Sequence, residues 1–106
     1  MSLDVTLELG GKEVYTANIT HNLNEMAESA FIYKHLWRPE ELGITKAGDL
    51  VGPLCDGLKM LVTNRDEMEK YNPPNKWGSY EGLCKFVFSY ALACSKFPTS
   101  NIRISR

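Results

Sequence analysis

The sequence predicts an α+β domain: a three-stranded antiparallel sheet with three main helices packed on one face, in the order ββααα(α)β. Three observations lead there. Segments near both ends of the chain alternate apolar and polar residues, the stretch between them carries apolar residues at helical spacing, and 106 residues suit one core with no room for a second. Leu3, Val5, Leu7 and Leu9 alternate with Asp4, Thr6 and Glu8, the period of a half-buried strand. Gly10-Gly11-Lys12-Glu13 supplies a turn, and Tyr15, Ala17 and Ile19 alternate with Thr16, Asn18 and Thr20 on the return strand.

Asn22 followed by Glu25 has capping-box spacing, which predicts a helix from Leu23 to Leu36 with Leu23, Met26, Ala27, Ala30 and Phe31 inward. Trp37-Arg38-Pro39 ends it, because a residue before proline is pushed out of the α region, and one short turn at 39–42 leads to Gly43. Thr45 is placed to cap a second helix with an inward stripe of Leu50 or Val51, Leu54, Leu58, Leu61 and Val62. Pro53 inside that stripe predicts a kink or a start near Gly52. Gly48, Gly52 and Gly57 lower its propensity and point to close packing against a neighbour. Asn64 is placed to cap a short helix over 65–71, whose Arg65, Asp66, Glu67, Glu69 and Lys70 read as a solvated face. A loop follows over 72–78. Ser79 then caps the last long helix, about 80–96, with Leu83, Phe86, Val87, Tyr90, Ala91 and Cys94 inward. Pro98 stops that helix, and Ile102 and Ile104 mark the final strand. Short connections between antiparallel neighbours bring this strand beside the first, giving sheet order 2-1-3. Thr20-His21-Asn22 and the 72–79 loop then share one end of the domain, and Trp37-Arg38 falls at the other, near the hairpin turn.

Composition narrows the function classes. Twelve Lys and Arg nearly cancel thirteen Asp and Glu, so the net charge is −1, without the basic surplus of a long nucleic-acid binder or the basic face of a membrane-surface helix. No apolar run approaches the roughly 20 residues of a membrane span, and the first residues begin a strand pattern, not a signal peptide; the expected location is the cytosol. Cys55, Cys84 and Cys94 fit no metal or redox spacing and are expected to be buried free thiols. Asn18-Ile19-Thr20 matches a glycosylation sequon by chance.

Two clusters carry candidate chemistry. His21 and Asn22 at a strand-to-helix junction face the loop with Lys76, Trp77, Ser79 and Tyr80. Two helix N-termini, one lysine and a flat aromatic would suit a nucleotide or other small phosphate. Capping alone also accounts for Asn22 and Ser79, with His21 solvated and Trp77 folded onto the core. His21 and Ser79 could instead form a base and nucleophile, but no carboxylate is placed to orient the imidazole and no nucleophile elbow is present. His21 and His35 fall about 20 Å apart on one helix, so they share no metal, and no cofactor motif occurs. Trp37 and Arg38 form the second cluster. Displayed together they are a partner-docking pair; buried, Trp37 packs on the second helix while Arg38 pairs with Glu40 or Glu41.

The runs Asn18-Ile19-Thr20-His21-Asn22-Leu23, Leu36-Trp37-Arg38-Pro39-Glu40-Glu41 and Asn72-Pro73-Pro74-Asn75-Lys76-Trp77-Gly78-Ser79-Tyr80-Glu81-Gly82-Leu83 resemble an uncharacterised family of about this length encoded in phage and prophage genomes. In the family form, Lys76 is often Gly. The resemblance implies no activity or cofactor, only a short accessory protein of the bacterial cytoplasm that acts by binding. The expectation is therefore a non-enzymatic protein directed at a host factor, for example a defence component. The alternatives are a sponge for a small nucleotide signal, a small hydrolase using His21, and a homo-oligomeric structural protein.

Overall fold

The computed structural model describes residues 2–106. Its sheet runs β2-β1-β3, antiparallel throughout, from β1 (Ser2–Leu9), β2 (Lys12–Thr20) and β3 (Asn101–Ser105). This is the predicted order, and the final strand pairs with β1 from Asp4↔Ser105 to Glu8↔Asn101. The hairpin is tighter than expected. Leu9 pairs with Lys12, leaving Gly10 and Gly11 as a two-residue loop in which both φ values are positive, as a twist-matched hairpin turn requires. Val14 is the extra residue of a bulge, since Leu7 pairs with Tyr15 and Glu8 with Glu13. The bulge sets two glutamates opposite each other on the solvent face, where Arg103 bridges Glu8 at 3.2 Å and Glu13 at 2.7 Å.

Leu3, Val5 and Leu7 are fully buried beneath the helices. Helix α5 (Tyr80–Lys96) begins where predicted, with Ser79 Oγ accepting from the Gly82 amide at 3.0 Å, and all six expected inward residues are buried. Tyr90 stacks on Tyr15 of β2 with ring centres 6.0 Å apart, joining helix to sheet. Helix α3 (Gly48–Thr63) packs alongside α5 and carries Pro53 within it. It starts three residues after Thr45, which does not cap it; the Thr45 carbonyl instead accepts from Ile102.

The first predicted helix is not continuous. After a single 3-10 turn at His21–Leu23, α1 (Asn24–Ser29) stops, the chain reverses, and α2 (Tyr33–Trp37) runs back. The stop is a Schellman motif, in which the Ile32 amide reaches the Ala27 carbonyl and the Phe31 amide reaches Glu28, both at 3.0 Å. Phe31 holds the left-handed position at φ 62°, normally a glycine's place, and its ring is 75% exposed instead of inward. Ile32 is buried in its stead, seated on Gly57 of α3, where an added Cβ would overlap Ile32 Cγ2. The glycine-rich helix is thus a close-approach surface.

The reversal relocates Trp37. It returns to the C-terminal end of β2, with its indole 6.2 Å edge-on from His21 and stacked on Tyr33 at 5.4 Å, and not to the hairpin end. Arg106, just past β3, donates to the Trp37 carbonyl at 2.8 Å and to Glu40 at 2.9 Å. A second 3-10 turn (Pro39–Leu42) follows. The short helix α4 spans Arg65–Glu69, less than predicted, and Asn64 does not cap its start. The Asn64 side chain bonds back to Met60 O at 3.1 Å, closing the end of α3.

Two substitutions test this packing. Gly57→Ala should cost about 1–3 kcal/mol in urea denaturation through overlap with Ile32, and Ile32→Ala in the same chain should remove most of that coupling. The Tyr90 hydroxyl is buried without a hydrogen-bond partner among the described residues. Tyr90→Phe should therefore be neutral or stabilising by up to about 1 kcal/mol, whereas a buried hydroxyl with a partner would lose stability on removal.

Candidate functional site

Of the residues expected at the polar end, the structure gathers two into a basin. His21 and Asn22 line a depression of about 540 Å³ together with Asn24, Glu25 and the segment 70–75. The other four stand outside it. The Asn22 side chain donates to the Trp77 carbonyl at 3.3 Å, so loop and junction do meet, but the indole is 69% exposed. Lys76 is exposed in a left-handed turn. Ser79 Oγ is committed to its cap. Tyr80 is buried and donates its hydroxyl to Leu61 O at 2.8 Å, with its pKa pushed up to about 12 by burial and by the neighbouring Cys84 thiol. Two of the amides at the start of α5 are also taken, since Asn72 Oδ1 accepts from Tyr80 N at 2.8 Å and Ser79 Oγ from Gly82 N at 3.0 Å. The charged residues lining the basin are Glu25 and Lys70, and Lys70 is already paired with Glu67 at 3.0 Å, so no free cation stands there for an anion among the described residues. No hydrogen bond joins His21 to Ser79 among the described residues, and His21 Nε2 is buried without a partner against Trp37. No group of three or more His, Cys, Asp or Glu there is arranged to hold a metal ion.

Trp37 is not displayed. At 3% exposure it belongs to the core, where its ring packs on Tyr33 and His21. Arg38 bonds Tyr33 Oη and Glu41, both at 3.3 Å, and so neutralises its own helix end. The expected docking pair is thereby spent on internal contacts.

The surface that sequence reading missed lies between the two long helices. Val51, Cys55, Leu58 and Val62 of α3 and Phe88 and Leu92 of α5 line an apolar groove of about 480 Å³. Val62 is 62% exposed, Phe88 53% and Leu92 55%. Val62 was expected inside; the inward position is taken by Leu61. A signal for this groove exists in the sequence, because Phe88 and Leu92 fall at i, i+4 outside the inward stripe of α5, making that helix apolar on two faces. Isolated apolar surface residues are ordinary, but several in one concave patch mark a binding surface.

Phe31 separates two shallower depressions, and His35 lines both with its Nδ1 buried and unpartnered. The cysteines differ from the uniform burial expected, with Cys55 exposed in the groove, Cys84 half-buried and Cys94 fully buried. No protein-family model, curated protein or solved structure matches the chain. No helix among the described residues is long and apolar enough to cross a membrane.

Burial pushes the Cys94 thiol up to about 12. In the native protein at pH 8, a chromogenic disulfide reagent should modify Cys55 at once, Cys84 slowly, and Cys94 only on unfolding. A raised folded pKa stabilises the fold below the unfolded thiol's value. Stability should hold to about pH 9 and decline as the pH climbs toward 12, by a margin that Cys94→Ala reduces in pH-dependent urea titrations.

Proposed function

We propose that the protein acts by binding another protein, not by turning over a substrate, and that its docking surface is the α3–α5 groove. The observation that carries this reading is the concentration of exposed Val62, Phe88 and Leu92 around one concave apolar patch. Catalysis has less support, because among the described residues His21 Nε2 and His35 Nδ1 are buried with no hydrogen-bond partner and the serine beside the junction is held as a helix cap. A phosphate ligand at the polar end has less support too, because two of the α5 amides that would receive it, those of Tyr80 and Gly82, are already bonded to Asn72 and Ser79. The resemblance to phage-encoded accessory proteins makes a bacterial host protein, such as a defence component, the expected partner.

Cys55 offers a reporter within the groove. A benzophenone-maleimide attached there should, in host extract, photocrosslink a discrete partner. The purified partner should bind the unlabelled protein and lose at least about tenfold in affinity to Phe88→Asp. Equal crosslinking and binding by wild type and the Phe88→Asp, Leu92→Asp double variant would overturn the reading, as would crosslinks confined to a second copy of the chain.

A further inference from the structure

Both long helices bring lysines to the groove. Lys59 lines it from α3. On α5, Lys85 lies three residues before Phe88 and Lys96 four residues after Leu92, spacings that put both lysines beside the apolar stripe. None of these three pairs with a carboxylate among the described residues, although Lys96 rests over the Phe97 ring at 5.6 Å. The nearest acid on the α5 face, Glu81, is held by Arg65 at 3.3 Å. Elsewhere, six surface acids are drawn into pairs, Glu8 and Glu13 with Arg103, Glu40 with Arg106, Glu41 with Arg38, Glu67 with Lys70 and Glu69 with Arg65, whereas Asp56, exposed on α3 three residues before Lys59, is in no ion pair among the described residues. A chain of net charge −1 therefore presents an apolar floor between unpaired lysines.

Resting on the docking reading above, we infer that the partner element is an amphipathic α-helix whose apolar stripe is flanked by Asp or Glu. The shape fits: α3 and α5, of 16 and 17 residues, lie side by side for about 24 Å at 1.5 Å per residue, and a third helix laid along their shared groove is a standard recognition mode. Its Leu, Ile or Phe side chains at i, i+3, i+4 and i+7 would cover Val62, Phe88 and Leu92. Its carboxylates would meet Lys59 on one side and Lys85 and Lys96 on the other. A concave floor favours a helix over a flat bilayer, which lysine-edged apolar surfaces also attract. A second copy of the chain would set lysine edge against lysine edge.

The probe is a fluorescein-labelled 18-residue peptide with leucines at that spacing and glutamates flanking them, read by anisotropy against the full-length protein. Two controls accompany it: the same peptide with Lys for each Glu, and a scrambled order. The acidic-flanked peptide should bind at least about tenfold more tightly than either control, and more weakly as salt rises. Lys59→Glu, Lys85→Glu and Lys96→Glu should each weaken it about two- to fivefold, and Phe88→Asp at least about tenfold, all with unchanged circular dichroism. Equal binding of the basic-flanked peptide, binding only to phosphatidylglycerol vesicles, or a dimer by light scattering that buries the groove would overturn the inference. If the acidic peptide fails while Cys55 still crosslinks a discrete protein, the helix assignment falls and the docking surface stands; if both fail, both readings fall.

Discussion

The close seating of Ile32 on Gly57 is the contact around which the first half of the molecule is arranged. Ile32 occupies the space that any Cβ at position 57 would need, so backbone and side chain meet without slack. To deliver Ile32 there, the chain leaves α1 at once and turns through Phe31, accepting a left-handed conformation that costs a non-glycine residue about 1–2 kcal/mol. Burying a full isoleucine returns about 1.5–3 kcal/mol, enough to cover that strain.

From this reversal follow the placement of Trp37 and the closing of the sheet's open end. The returning helix carries Trp37 to His21, and Arg106 secures the arrangement by gripping the Trp37 carbonyl and Glu40 from beyond β3. The same seating fixes which side of α3 looks inward. Leu50, Leu54, Gly57 and Leu61 face the core, and the adjoining stripe of Val51, Cys55, Leu58 and Val62 is left beside α5. Burying the inward faces of two helices therefore creates the groove as the remainder, and the molecule keeps large apolar side chains in water where serine or lysine would cost the core nothing.

Much of this architecture was legible in residue patterns. Leu3 to Leu9, the Ser79 cap, the inward stripe of α5 and the alternation at Ile102 and Ile104 each carry one periodicity with no competitor, and the sheet order followed from connection lengths. The break at Phe31 was not legible. Phe31 itself extends the apolar pattern of a helix, and no glycine announces the stop, since the reason for it lies in Gly57, a residue 26 positions away. Asn64 and Thr45 do not cap for reasons that lie in tertiary contacts: the Asn64 side chain bonds back to the Met60 carbonyl, and the Thr45 backbone is held against Ile102 at the edge of β3, three residues before α3 begins. The candidate site was half legible. The meeting of Asn22 with the 72–79 loop came from topology, but the outward stripe of Phe88 and Leu92 was overshadowed by the stronger inward one.

The sequence by itself determined the class of the domain, the three strands and their order, the long C-terminal helix and the near-neutral net charge, because these depend on local periodicity and on sums over residues. Tertiary structure alone decided where Phe31 turns, that Trp37 is buried beside His21 and that Val62, Phe88 and Leu92 form one surface. Each of those depends on which residues, distant in sequence, compete for the same volume, and a one-dimensional pattern holds no record of that competition.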